Sequence, residues 1–136
     1  MTKKNPQVLI VDDNSTQRYV LTRLAEQAGY EFEEAQTAEE ALEQLEREIP
    51  DVLISDVKLP QMDGFDLCRK LKANANTKKI PVILVTSMYY ASEREAADTA
   101  KGKKRAKDCG ALEMFPRGEA VEKLPALLQK LADKMK

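Results

Sequence analysis

Three runs of branched aliphatic residues, Val8-Leu9-Ile10-Val11, Val52-Leu53-Ile54 and Val82-Ile83-Leu84-Val85, set the narrowest limits on how this chain folds. None alternates with polar residues, so each reads as a strand covered on both faces, the situation of a parallel sheet held between two layers of helices. Each run also stops at polar groups: Asp12 and Asp13 close the first, Ser55 and Asp56 the second, Thr86 the third. Carboxylates placed at the mouths of buried strands mark a site.

The segments between these runs carry helical spacing. Val20, Leu21, Leu24, Ala25 and Ala28 repeat at 3.6 residues, with Asn14 placed to cap the helix and Gly29 to end it. Tyr30-Glu31-Phe32-Glu33-Glu34 alternates apolar and acidic residues and predicts an edge strand with one wet face. Thr37-Ala38-Glu39-Glu40 is a capping box ahead of Ala41, Leu42 and Leu45, and Pro50 ends that helix. Phe65, Cys68 and Leu71 mark a shorter third helix, and Ala91–Ala100 is rich in helix formers; Gly102 lowers helix propensity after it by about 1 kcal/mol, which leaves a helix, a kink and a loop open there. A weaker last strand is predicted over 111–115. A last helix is predicted on Leu124, Leu127, Leu128 and Leu131, with Pro125 tolerated only in its first turn. Five strand-helix units in strict alternation predict an α/β fold: right-handed crossovers, a doubly wound parallel sheet, and ligands outside the carboxyl ends of its strands. Asp12, Asp13, Asp56 and Thr86 all fall there.

A chain of 136 residues fits one domain over 1–136, with residues 1–6 as a flexible start. Twenty-two basic residues face 23 acidic ones, so the global charge of -1 argues neither for bulk nucleic-acid binding nor for an acidic tail and leaves any electrostatic function local. Two cysteines, Cys68 and Cys109, form no CxxC pair and there is no His, which removes the usual ligands of zinc and haem. The opening residues lead into only four strongly apolar ones, too few for a signal peptide or a membrane span, so a cytoplasmic protein is expected.

Two carboxylates at about 4 Å repel by roughly 4 kcal/mol under an effective dielectric near 20, so a cluster of acids invites a cation. An all-oxygen set without His or Cys suits Mg2+, which also bridges carboxylates to phosphoryl oxygens. Asp56 could then attack phosphorus and form an aspartyl-phosphate. Taken singly these residues say little, because Asp favours caps and turns and Thr is an ordinary strand residue.

The ordered set is more specific. Asp12-Asp13 after the first strand, Asp56 after the third with Pro60 and Gly64 downstream, and Thr86 after the fourth resemble a response-regulator receiver domain over nearly the whole chain. The resemblance implies a flavodoxin-like five-stranded parallel sheet of order 2-1-3-4-5 with helices on both faces. It makes Asp56 the phosphoacceptor, Asp13, Asp56 and the main-chain carbonyl of Lys58 the Mg2+ ligands, and Asp12 the holder of the metal's waters. Thr86 would bond the phosphoryl group. The implied partners are a histidine kinase or phosphotransfer protein upstream and a protein bound at the fourth helix downstream, with nucleic acid not expected and a monomer or weak dimer as the assembly.

The chain departs from the family pattern in three places. Where the family carries a Lys and then a cis-linked Pro, this sequence has Arg117 and Gly118, and Arg is a planar fork rather than a point charge. Met114 stands where the family has a switch aromatic, leaving Tyr89 and Tyr90 as substitutes. The stretch from Thr86 to Gly110 is long for the family, implying an enlarged fourth helix region, an insertion or extended helix over 91–107. Five bases crowd Lys101–Lys107 there, either a docking face or a solvated helix surface. These departures define a second reading, a pseudo-receiver that binds proteins with little or no phosphorylation-dependent switching. A third, a Mg2+-dependent phosphatase for outside substrates, lacks an evident general acid.

Overall fold

The computed structural model describes residues 5–86 and 93–135, with the side chains of all of these except 93–99. Ten elements alternate along the chain: β1 (Gln7–Val11), α1 (Ser15–Gln27), β2 (Glu31–Ala35), α2 (Ala38–Arg47), β3 (Val52–Asp56), α3 (Gly64–Lys72), β4 (Val82–Thr86), α4 (Glu93–Asp108), β5 (Glu113–Pro116) and α5 (Arg117–Lys134). The five strands form one parallel sheet in the order β2-β1-β3-β4-β5. This is the flavodoxin-like arrangement.

The unalternated runs are explained by burial on both sides. Val8, Ile10, Val52, Ile54, Ile83 and Val85 pack under α1 and α5, while Leu9, Val11, Leu53, Val82 and Leu84 pack under α2, α3 and α4. Every one of these side chains is buried. Each removed from water contributes about 1.5–3 kcal/mol before its lost rotamer freedom is counted, so the three central strands hold most of the core. β2, at the edge, shows instead the wet face that its alternation predicts: Glu31, Glu33 and Glu34 are exposed.

The helix starts follow local chemistry. The Asn14 side chain accepts from the N–H of Gln17, that of Thr37 from Glu40, and that of Asp63 from Asp66, so α1, α2 and α3 each begin with an acceptor for an otherwise orphaned donor. The return bond of the α2 capping box reaches one residue further back than the ideal, Glu40 Oε2 accepting from Gln36 N at 3.4 Å. Gly29 closes α1 with φ +87°, a left-handed conformation that costs glycine nothing.

One expectation is corrected and one open choice is decided. α5 starts at Arg117, so Pro125 stands well inside it rather than in its first turn. Val121, one turn earlier, is half exposed, so its carbonyl lies on the side of α5 where water can replace the missing N–H. Gly102 does not interrupt α4, which is a continuous helix of 16 residues. A Cβ at Gly102 would lie 3.1 Å from Met114 Cε, so the glycine lets α4 sit closely on β5.

Candidate functional site

Strand register assembles the site. Val11 pairs with Ser55, Asp56 with Val85, and Thr86 with Pro116, so residues 12–13, 56, 86 and 117 come together along the carboxyl edge of four adjacent strands. One carboxylate oxygen from each of Asp12, Asp13 and Asp56 lies within 4.8 Å of the others. Asp12 and Asp56 are buried, Asp13 is exposed, and Thr86 is buried beside them.

Asp12 and Asp56 are each held by a local network. Asp12 Oδ1 accepts from Asn14 N at 2.9 Å, and the Asp12 carbonyl accepts from Arg18 Nη1 at 2.8 Å. Asp56 is fixed at main chain and side chain alike: its carbonyl accepts from Ser55 Oγ at 2.8 Å, and the N–H of Lys58 donates to its carboxylate. Gly64 closes the loop behind it. Gly64 N donates to the Val57 carbonyl at 2.8 Å, and a Cβ at Gly64 would stand 2.5 Å from the Asp56 carbonyl oxygen. Only glycine allows that approach. Between them Gln61 adopts φ +67°, the one left-handed non-glycine among the described residues.

Arg117, the first residue of α5, reaches into the acids. Its Nη2 donates to Asp12 Oδ2 at 3.1 Å and lies 3.7 Å from Asp56 Oδ1, an ion pair too long for a hydrogen bond. Three buried side-chain atoms among the described residues have no hydrogen-bond partner: Asp56 Oδ1, Arg117 Nε and Arg117 Nη1. All three are here. An unsatisfied buried acceptor beside unsatisfied buried donors costs folding energy and fits a bound group offering both a cation and anionic oxygens.

The charges respond to this crowding. Burial, reinforced by the neighbouring Asp12 charge, pushes the Asp56 carboxyl up to about 6, against the pull of Arg117 and the Lys58 N–H. Burial also raises Asp12, with the Asn14 N–H and Arg117 drawing it part of the way back. One guanidinium does not neutralise three carboxylates.

The residues singled out by sequence, Asp12, Asp13, Asp56, Thr86 and Arg117, therefore meet at one place. For Lys58 the structure shows its N–H turned to Asp56. The contact of Arg18 with Asp12 and the close approach of Gly64 to Asp56 were not foreseen. The signal for Arg18 was its position one helical turn after the cap Asn14, on the side facing the pocket. Tyr89 and Tyr90, named as stand-ins for a switch aromatic, lie outside the described residues. Met114 is buried under Gly102 of α4.

Comparison with known proteins agrees with this geometry. Residues 8–116 match the family model of the response regulator receiver domain. Among curated relatives, a gliding motility regulatory protein of Myxococcus xanthus is 35% identical over 94% of this chain and 15% of its own length. Response regulator MprA of Mycobacterium leprae is 33% identical over 95% of this chain and 52% of its own length. The chain thus spans about half or less of these relatives. Among solved structures, the receiver domain of a signal transduction histidine kinase from Syntrophus aciditrophicus superposes with a TM-score of 0.78 at 32% identity, covering 96% of this chain and 92% of that one. Chemotaxis response regulator CheY4 of Vibrio cholerae gives 0.78 at 29%, covering 94% and 99%. Sheet order, acid pocket and these likenesses lead to one assignment: the chain belongs to the response regulator receiver domain family.

Proposed function

We propose that this domain accepts a phosphoryl group on Asp56 from a phosphohistidine of a histidine kinase or phosphotransfer protein, and passes the signal on through protein contacts. The observation that carries the reading is the orphaned Asp56 Oδ1, buried between two further carboxylates and an arginine with unused donors. An Asp56 carboxylate oxygen forms the new P–O bond as the donor's P–N bond breaks, and the donor imidazole leaves. The chain has no His and so does not supply the donor itself.

The three carboxylates, all oxygen donors, fit Mg2+, with Asp13, Asp56 and the Lys58 carbonyl as its direct ligands and Asp12 holding its waters. Bound there, the ion would offset charge on the acids and on the transferred group. The protein's own contribution is positioning. Ser55, the Lys58 N–H and the close packing of Gly64 fix Asp56, Arg117 presents donors to incoming oxygens, and Thr86 supplies a hydroxyl at the same edge.

Incubation with Mg2+ and acetyl phosphate should add one phosphoryl group to the intact mass of the wild-type chain and none to Asp56→Asn. Beryllofluoride should shift the amide resonances of residues around Asp56. No adduct and no shift would refute the reading.

A second reading, a module that takes the phosphoryl group yet switches weakly, is favoured by Met114. A buried thioether wedged under Gly102 has no ring or hydroxyl to exchange between core and solvent. It predicts that beryllofluoride shifts stay within the pocket and leave α4 unmoved.

A further inference from the structure

The net charge of -1 conceals a strong separation. Between Glu31 and Glu48 stand eight glutamates and a single base, Arg47, whereas Arg69–Lys79 and Lys101–Lys107 hold five bases each and no acid. The fold sends the acidic segment, β2 and α2, to one edge of the sheet and the basic second half of α4, which covers β5, to the other. The basic end of α3 and the loop after it run between the two, Lys70 sharing a groove with Glu46, Glu48 and Ile49. The two basic segments meet in space: Lys72, Lys79, Lys103 and Lys107 line one groove of about 640 Å³ beside β5. Most of the charged side chains on both sides are exposed.

Four strand spacings of about 4.8 Å put the edge strands roughly 19 Å apart. That is about twice the screening length of 8–10 Å at ordinary ionic strength, so the two edges do not neutralise each other within one molecule. Each edge also exposes one large aliphatic side chain: Ile49, 48% exposed, follows the acidic segment, and Leu112, 49% exposed, lines the basic groove. A charged surface with an apolar anchor is thus present in both signs on one chain, with a net charge too small to keep copies apart.

We propose that the chain associates with itself head to tail, the β2–α2 edge of one copy against the α4–β5 edge of the next. Such an interface is heterologous: it leaves one free edge of each sign, so assembly continues beyond the dimer unless a ring closes. It lies on the sheet's flanks, clear of the Asp56 pocket, and does not depend on phosphorylation.

Sedimentation velocity of the full chain tests this. In 50 mM NaCl the weight-average mass should rise above the 15.3 kDa monomer with concentration and return to it in 500 mM NaCl. The charge reversals K103E/K104E/K107E and E43K/E46K should each hold the chain at monomer mass at low salt, and an equimolar mixture of the two should associate again. Unchanged melting temperatures would show that both variants fold. A wild-type chain that stays monomeric at low salt overturns the proposal, even if it retards a DNA duplex through its basic edge. So does association that survives either reversal, or variants whose mixture stays monomeric.

Discussion

Replacing Asp56 by Asn should make the metal-free protein more stable at neutral pH. Asp56 titrates near 6 in the folded chain against an ordinary value of 3.8. A carboxyl displaced that far is worth about 3 kcal/mol, and the side chain is only 4% exposed, so solvent screening takes little from that figure. The folded chain binds this proton more tightly than the unfolded chain does. The group's contribution is therefore fully present below about pH 4 and is lost as pH rises through about 6, leaving an ionised carboxylate that destabilises the fold above that. Asn keeps the shape without the charge. Urea unfolding in EDTA, from pH 4 to pH 8, should show the two proteins converging at the acid end and Asp56→Asn ahead by about 3 kcal/mol at the alkaline end, roughly 10 °C in melting temperature. Millimolar Mg2+ should narrow or reverse the gap, because only the wild type retains the complete ligand set; a ligand at about 100 times its dissociation constant stabilises by roughly 2.7 kcal/mol. A substitution that is neutral or destabilising at pH 8, or a gap that does not change with pH, would refute the account of a charge-strained pocket.

Three further outcomes follow from packing. Gly64→Ala should destabilise the chain by about 1–3 kcal/mol despite alanine's better helix propensity, because the new methyl meets the backbone of Asp56 and Val57; denaturation and amide shifts of those two residues would show it. Tyr30→Phe removes the 2.7 Å bond from its hydroxyl to the Leu128 carbonyl, which ties the start of β2 to α5, and should cost about 1 kcal/mol in a denaturation experiment. Burial and the adjacent Cys109 push the Cys68 thiol up to about 12 from 9, so at pH 8 a thiol reagent should label it about a thousandfold more slowly in the native than in the unfolded chain. Rapid native labelling would contradict that burial.

The sheet was legible because both-face burial leaves a direct signature, an aliphatic run without polar interruption, and because Asn14 and Thr37 announce the first two crossover helices as side-chain caps. Asp12, Asp13 and Asp56 were legible for the same reason: they interrupt aliphatic runs where a strand must end. The start of α5 was not. Pro116-Arg117-Gly118 offers no capping side chain, and Pro125 suggested a boundary that the helix, solvated on that side, does not have. The close seat of α4 on β5, with Gly102 against Met114, is a tertiary contact that no local pattern encodes. The grip of Arg117 on Asp12, 105 residues away, is likewise a product of sheet register.

That grip joins electrostatics to backbone order. Pro116, at the cap position of α5, makes no side-chain bond to the first turn, so this helix begins without the side-chain cap that α1, α2 and α3 have. The residue that opens this uncapped turn is the one whose guanidinium lies among the acids. Hydrogen exchange at Gly118, Glu119 and Ala120 should therefore act as a meter of the pocket: an oxyanion that occupies the idle donors of Arg117 would fasten the side chain, quiet the fraying of the turn behind it, and slow exchange at amides that never touch the ligand.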